Sequence, residues 1–436
     1  MTGFWRRVTL SPLQLGVIGA LSAAATAVVV VAGLGRTPAQ SAALAALHTH
    51  LQQIRVSSPT APVAASPAPA PVTAAPAPTP VASAPAPPPA SSPASNPAAA
   101  SVSSVASAPT TTTRAASPKP PSKPKLSHVF VLALTTSSYD AAFGTASVAH
   151  YLNHKLVPKG TLLGGYESLG SAELPDYLAM ISGQAPNPDT SSDCPTYDDF
   201  PAGSQPDAQG QVSGAGCAYP NTVLTIGDQV TAAGHSWRAY IDGMGTTSCL
   251  HPNSGAPTST PPTGAGPDYS LLHNPFVYFH SLLDLGSCAT DDVPLDQLPH
   301  DLSRPATAQT FAFIAPGACL DAAASTCPSG GPAGLEGEDA FLRTWVPHIL
   351  HSNAYTHGGA LIITFALPGP SQALSASTPA GSTPVGALLL APHAARGKIV
   401  STTFNPYSVL KSVEQLLNYK PLGKAGSARS FADLLG

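Results

Sequence analysis

The chain is 436 residues long, with 49 prolines, 37 glycines and only 10% charged residues, so not all of it can be a packed globule. Residues 1–139 carry eight Lys/Arg and no acid, whereas residues 140–436 hold all 23 acids against 11 bases, a net of −12 within the formal −4. So acidic a domain repels phosphate-rich polymers, which excludes nucleic acid as a partner, and 43% hydrophobic residues exclude a wholly unfolded acidic tail.

The first predicted element is a membrane anchor. Arg6 and Arg7 precede an uncharged stretch, residues 8–35. As a helix, 28 residues span roughly 42 Å, enough for a hydrocarbon core of about 30 Å. The stretch exceeds the apolar region of about 7–15 residues usual in a secretory signal, so it reads as an uncleaved, single-pass anchor through the cell membrane. Cleavage within the Ala-rich segment beyond Arg36 would instead give a secreted protein. The positive-inside rule puts Arg6 and Arg7 in the cytoplasm and everything after Arg36 outside it.

Residues 37–126 follow as a stalk. Residues 37–56 have the pattern of a short helix, and residues 57–125 are almost entirely Ala, Pro, Ser, Thr and Val. Too few large apolar side chains are present to offset the entropy of ordering, which predicts a disordered, polyproline-rich spacer. Such a spacer suits a protein that crosses a cell wall or contacts another envelope component. A ligand for a proline-binding module is the rival reading, and the Ser/Thr content permits O-glycosylation.

All six cysteines lie beyond the stalk, at Cys194, Cys217, Cys249, Cys288, Cys319 and Cys327. An even number in an exported domain points to disulfides rather than zinc, since no CxxC pair or HExxH occurs. Their order suggests neighbour pairing, 194–217, 249–288 and 319–327, one of fifteen possible connectivities.

Residues 127–436 form the globular domain. Short apolar runs recur at 128–134 (HVFVLAL), 237–241 (WRAYI), 310–315 (TFAFIA), 361–365 (LIITF) and 387–391 (ALLLA), the pattern of buried parallel strands. Between them, residues 338–351 carry a stripe of Phe341, Leu342, Trp345, Ile349 and Leu350, with Pro347 as a possible kink. Residues 407–417 carry Leu410, Val413, Leu416 and Leu417. Alternating strands and helices predict an α/β sandwich with a mostly parallel central sheet, whose site lies beyond the carboxyl ends of the strands. There the sequence offers Asp140, Asp321 and His393, too few ligands for a two-metal centre.

HVFVLALTTSSYDAAFG, ELPDYLAMISGQAPNP, DCPTYDDF, HNPFVYFHSLLD, FLRTWVPHILHSNAY, GGALIITF and YSVLKSVEQLLNYKPLG, in this order, resemble the bacterial phosphoesterase family of phospholipases C and acid phosphatases, within the alkaline-phosphatase superfamily. The resemblance runs over nearly all of residues 127–436. It implies an alkaline-phosphatase-like fold and metal-dependent phosphoester hydrolysis with a Ser or Thr nucleophile.

The positions that would carry that chemistry are altered. The glutamate and asparagine that bind metal in the family correspond to Thr135 and Thr136, the nucleophilic hydroxyl to Glu173, the metal-binding aspartate to Ala366 (followed by Leu367), and the last histidine to Pro406. Leu320 stands where the family often has a histidine, and Ser171 is out of register with the nucleophile. Asp140 and Asp321 remain, Asp140 fitting a cap of the following turn better than a ligand. Glu173 and Asp176 form a candidate acid/base pair, but without a nucleophile or Lewis acid they read as lining a remodelled pocket. Pairs at helical spacing, His150/His154 and His348/His351, have metal-ligand geometry but read as exposed helix faces. No GxSxG elbow, Walker-type loop or GxGxxG occurs. The expectation is a membrane-anchored pseudo-phosphoesterase that needs no cofactor and serves in binding or as an envelope scaffold. The alternative is a hydrolase of phosphate mono- or diesters with an atypical site and a divalent metal.

Overall fold

The computed structural model describes residues 126–322, 324–367 and 383–435; the expected anchor and most of the stalk, residues 1–125, lie outside them. No helix among the described residues is long and apolar enough to cross a membrane.

Among the described residues ten strands are formed: β1 (His128–Thr135), β2 (Thr161–Leu163), β3 (Thr196–Tyr197), β4 (Trp237–Ile241), β5 (Ala256–Pro257), β6 (Asp292–Pro294), β7 (Phe311–Ala315), β8 (Gly359–Ala366), β9 (Ala387–Leu390) and β10 (Lys398–Val400). Eight of them build one sheet in the order β10-β2-β9-β8-β1-β7-β4-β6, while β3 and β5 pair separately. β1 lies between β7 and β8, parallel to both. β7, β8 and β9 are buried throughout and β1 almost throughout, which is why their sequences read as continuous apolar runs rather than alternating ones.

The expected mostly parallel sheet is present, with one correction. The run at 387–391 forms β9, which is antiparallel to both its neighbours, β8 and β2. Full burial hides a strand's direction in its sequence, because no polar face marks it. The reversal carries the exposed His393 to the opposite edge of the sheet from the tips of β1, β7 and β8, so His393 leaves the expected ligand set.

The helices among the described residues include α1 (Tyr139–Phe143), α2 (Leu174–Ser182), α3 (Ile226–Ala232), α4 (Gly334–Leu350) and α5 (Pro406–Leu417). Every residue of α2 is buried, so this helix is interior and packs against α5. It stops at Gly183, whose φ of +71° is left-handed and whose Cβ, if present, would come within 2.4 Å of the Leu422 carbonyl oxygen. α5 starts with a capping box between Asn405 and Ser408 and buries Leu410 and Val413. α4 contains Pro347 in its last turn, and it buries Glu338 and Asp339 beside the expected Phe341, Leu342 and Ile349. The six cysteines form the bonds Cys194–Cys217, Cys249–Cys288 and Cys319–Cys327, the neighbour pairing.

A buried carboxylate–imidazole group at the sheet's carboxyl edge

The site grows from the start of α2. Pro175 in the first turn supplies a preset φ and needs no hydrogen-bond partner, so the turn begins cheaply. Glu173 occupies the N-cap but does not cap with its own side chain. Asp193 does so from outside, its Oδ1 accepting from the backbone N–H groups of both Glu173 and Leu174 at 2.9 Å. The Glu173 carboxylate is thereby released to face the interior.

There it meets His273, which the sequence reading did not single out. Oε1 of Glu173 lies 2.7 Å from Nε2 of His273, and both residues are 1% exposed. The imidazole is fixed on its other side by Nδ1, 2.7 Å from the Pro316 carbonyl just past the tip of β7, and by the Tyr177 ring stacked at 5.6 Å. Asp321, half-buried in the same tip, completes the group: one ligand atom from each of Glu173, His273 and Asp321 lies within 4.8 Å of the others. His273 lies in the turn just before residues 275–278, with no partner at helical spacing, so its only sequence signal was its place in the HNPF stretch.

Two further acids surround this group. Glu338 of α4 accepts from the Thr135 backbone N–H at 2.7 Å and from its hydroxyl at 3.0 Å. Asp176 accepts from the Leu169 N–H at 2.8 Å. Burial pushes both carboxyls well above the ordinary range, the N–H donors of Thr135 and Leu169 only partly opposing it. Burial likewise raises Asp193 to about 6, against the N–H donors of Leu174 and Glu173. Burial raises Glu173 despite the opposing charge of His273. For His273, burial is the largest single effect and lowers the pKa, but the charge and hydrogen bond of Glu173, the charge of Asp321 and the Pro316 carbonyl together outweigh it, leaving the imidazole raised. The pair therefore holds a proton at neutral pH.

Thr135, Thr136, Ala366 and Pro406 are buried near the tips of β1 and β8 and the start of α5. Thr135 is committed: besides donating to Glu338, its hydroxyl accepts from Ala322 N–H at 2.7 Å. Thr135, Thr136, Ala366 and Pro406, where the sequence resemblance calls for metal ligands, thus do not fit a two-metal centre, having no carboxylate or imidazole to offer. Asp140 is exposed in the first turn of α1, which Ser138 caps, and it does not join the group. Ser171 is exposed. His150 and His154 are exposed and stacked at 6.0 Å, and His348 and His351 are exposed beside a surface hollow lined also by Pro299 and Leu302. Glu173 and Asp176 share the start of α2, but Glu173 pairs with His273 while Asp176 holds Leu169. The expectation of too few ligands concerned a two-metal centre; for a single ion, Glu173, His273 and Asp321 offer a three-ligand set.

The fold and this group define an α/β domain with a buried acid–imidazole site at the carboxyl edge of a mostly parallel sheet. No family model and no curated protein matches the sequence. Similar solved structures include a protein of the alkaline phosphatase superfamily from Vibrio parahaemolyticus (11% identity, 70% of each chain, TM-score 0.43). Others are a sulfatase from Pseudoalteromonas sp. (10%, 72% of each chain, 0.41) and a phosphonate monoester hydrolase from Silicibacter pomeroyi (11%, 71% of this chain and 76% of that one, 0.41). Likeness at this level transfers no residue role to this chain.

Proposed function

We propose that this chain is a membrane-tethered, extracytoplasmic domain of phosphoesterase-like architecture that binds an envelope component and does not hydrolyse phosphoesters. One observation carries the reading: Glu173, at the position where the resemblance calls for a nucleophilic hydroxyl, is buried and closed onto His273. A carboxylate with an imidazole against it, at 1% exposure, has no open face for a phosphoryl group. Neutral residues at Thr135, Thr136, Ala366 and Pro406 support the same reading, because phosphoryl transfer depends on cations that stabilise the transferring charge. The tether rests on residues 8–35 and the Arg6–Arg7 pair, the extracytoplasmic side on the same asymmetry and on three disulfides.

Purified full-length protein is assayed against phosphate mono- and diesters with zinc, manganese, calcium or magnesium added. No turnover above background is expected. Turnover that disappears in Glu173→Ala or Asp321→Ala would establish the alternative, a hydrolase with an atypical site.

A further inference from the structure

Three segments meet at the carboxyl edge: the start of α2 through Glu173, the loop before the aromatic run 276–279 through His273, and the tip of β7 through Asp321. A carbonyl oxygen only accepts, so the 2.7 Å contact with Pro316 assigns the proton of His273 to Nδ1. That is the arrangement in which metal-binding histidines are commonly held, with the other nitrogen free to ligate. Nε2 and Glu173 Oε1 are 2.7 Å apart, and Oε1 makes no other hydrogen bond among the described residues.

We infer that Glu173, His273 and Asp321 form a single, structural site for a first-row divalent cation such as Zn²⁺ or Mn²⁺. One imidazole and two carboxylates suit these ions, whose donors sit about 2.0–2.2 Å away. Moving the three donors from within 4.8 Å of one another onto such a sphere needs shifts of about 1 Å. A second observation points the same way. Glu338 is linked to the segment of Asp321 through Thr135, whose hydroxyl receives the Ala322 N–H, and its other oxygen, Oε2, is buried with no partner among the described residues. Glu338 stands outside the three donors that lie within 4.8 Å of one another but close enough to feel the charges of Asp321 and Glu173, so that oxygen is suited to accept from a water on the ion rather than to bind the ion itself. Because Glu173 and His273 are 1% exposed, the ion would be sequestered, joining three segments rather than meeting substrate.

This inference is independent of the proposed loss of hydrolysis. The full chain is stripped with chelator and dialysed against Zn²⁺ or Mn²⁺, and bound metal per chain and Tm are measured; Co²⁺ substitution adds a visible absorption spectrum. One equivalent bound, a higher Tm and Co²⁺ bands of a site with nitrogen and oxygen ligands are expected. His273→Gln should abolish binding, and Asp321→Asn should weaken it at least tenfold. His348→Gln/His351→Gln should leave it unchanged. If His273→Gln does not fold, Asp321→Asn at the half-buried position carries the test. No stoichiometric metal, or equal affinity in Asp321→Asn and the parent, overturns the site whatever the hydrolysis assay gives. Bound metal with turnover sustains the site and overturns the binding reading instead.

Discussion

Thr135 and Glu338, 203 residues apart in sequence, are joined twice at the tip of β1, the backbone N–H and the hydroxyl of the threonine both donating to Oε1 of the glutamate. Thr135 is thus occupied in holding α4 to the sheet. Glu338→Ala would leave a buried N–H without an acceptor and open a void, costing about 2–4 kcal/mol. Glu338→Gln keeps an oxygen for both donors and matches the neutral form that burial favours, so it should cost under about 1 kcal/mol. Denaturant midpoints of the two variants check this, and equal destabilisation would show that the pair of hydrogen bonds is not what stabilises the tip.

Asp193 performs the capping that Glu173 does not. Its residue is left-handed, with φ of +55°, beside the disulfide-bonded Cys194. Asp193→Ala should cost about 1–2 kcal/mol, typical of a lost N-cap, and Asp193→Asn only a few tenths, since Asn tolerates this conformation and can still accept. Comparing the unfolding free energies of the two variants separates capping from charge.

The strands β1, β4, β7 and β8 and the helices α4 and α5 were legible in the sequence because apolar runs and stripes are what a buried sheet and its covering helices require. The direction of β9 was not, since a wholly buried strand reads the same both ways. β2, β6 and β10 have three residues each, too short for periodicity to register. Glu173 was visible as an anomaly at one position. Its partner was not, because His273 reaches it across about 100 residues of loop, helix and strand, and a lone histidine in a loop carries no spacing signal. Glu338 sat inside a helix read for its apolar face, where an acid looks like the solvent side.

Asp292 gives the pH dependence its sign. Burial raises this carboxyl to about 8, opposed in part by Asn274, which donates to Oδ2 at 2.9 Å. The ordinary value is near 3.9, so between about pH 4 and pH 8 the folded state holds a proton that the unfolded state has lost. This contribution to stability is complete below pH 4 and is lost as pH rises through 8. Glu414, raised to about 8 by burial, acts with the same sign. Tm should therefore fall by several degrees from pH 5 to pH 8, and Asp292→Asn, which preserves the acceptor for Asn274, should flatten that fall. A slope unchanged in the variant would show that Asp292 is ionised in the folded protein.

The three disulfides should not contribute equally. The loops they close differ, with separations of 39, 23 and 8 residues for Cys249–Cys288, Cys194–Cys217 and Cys319–Cys327. In the chain-entropy model these correspond to about 3.9, 3.4 and 2.5 kcal/mol. Paired Cys→Ala variants should lower Tm in that order. The thiol count under denaturing, non-reducing conditions should be zero. If removing Cys319–Cys327 costs most, that bond acts by holding the Asp321 tip in place and not through the unfolded chain.

Restoring a hydroxyl at the altered position tests how deep the alteration goes. Glu173→Ser supplies the side chain that the resemblance calls for, yet it leaves Thr135, Thr136, Ala366 and Pro406 as they are. A serine hydroxyl needs a metal or a base to become a nucleophile. The nearest base, His273, has its Nδ1 committed to Pro316, so only Nε2 remains. The substitution also strips that imidazole of its counter-charge inside the protein. A charged group left unpaired by removal of its partner commonly costs about 3–5 kcal/mol, so the imidazole should instead lose its proton and titrate below its value in the parent. Glu173→Ser should thus fold less stably, show a lowered His273 pKa by NMR titration, and hydrolyse neither mono- nor diesters with any of the four cations. Turnover in this variant would mean that the buried edge still reaches a phosphoryl group, and that one residue, rather than the whole set, keeps the parent silent.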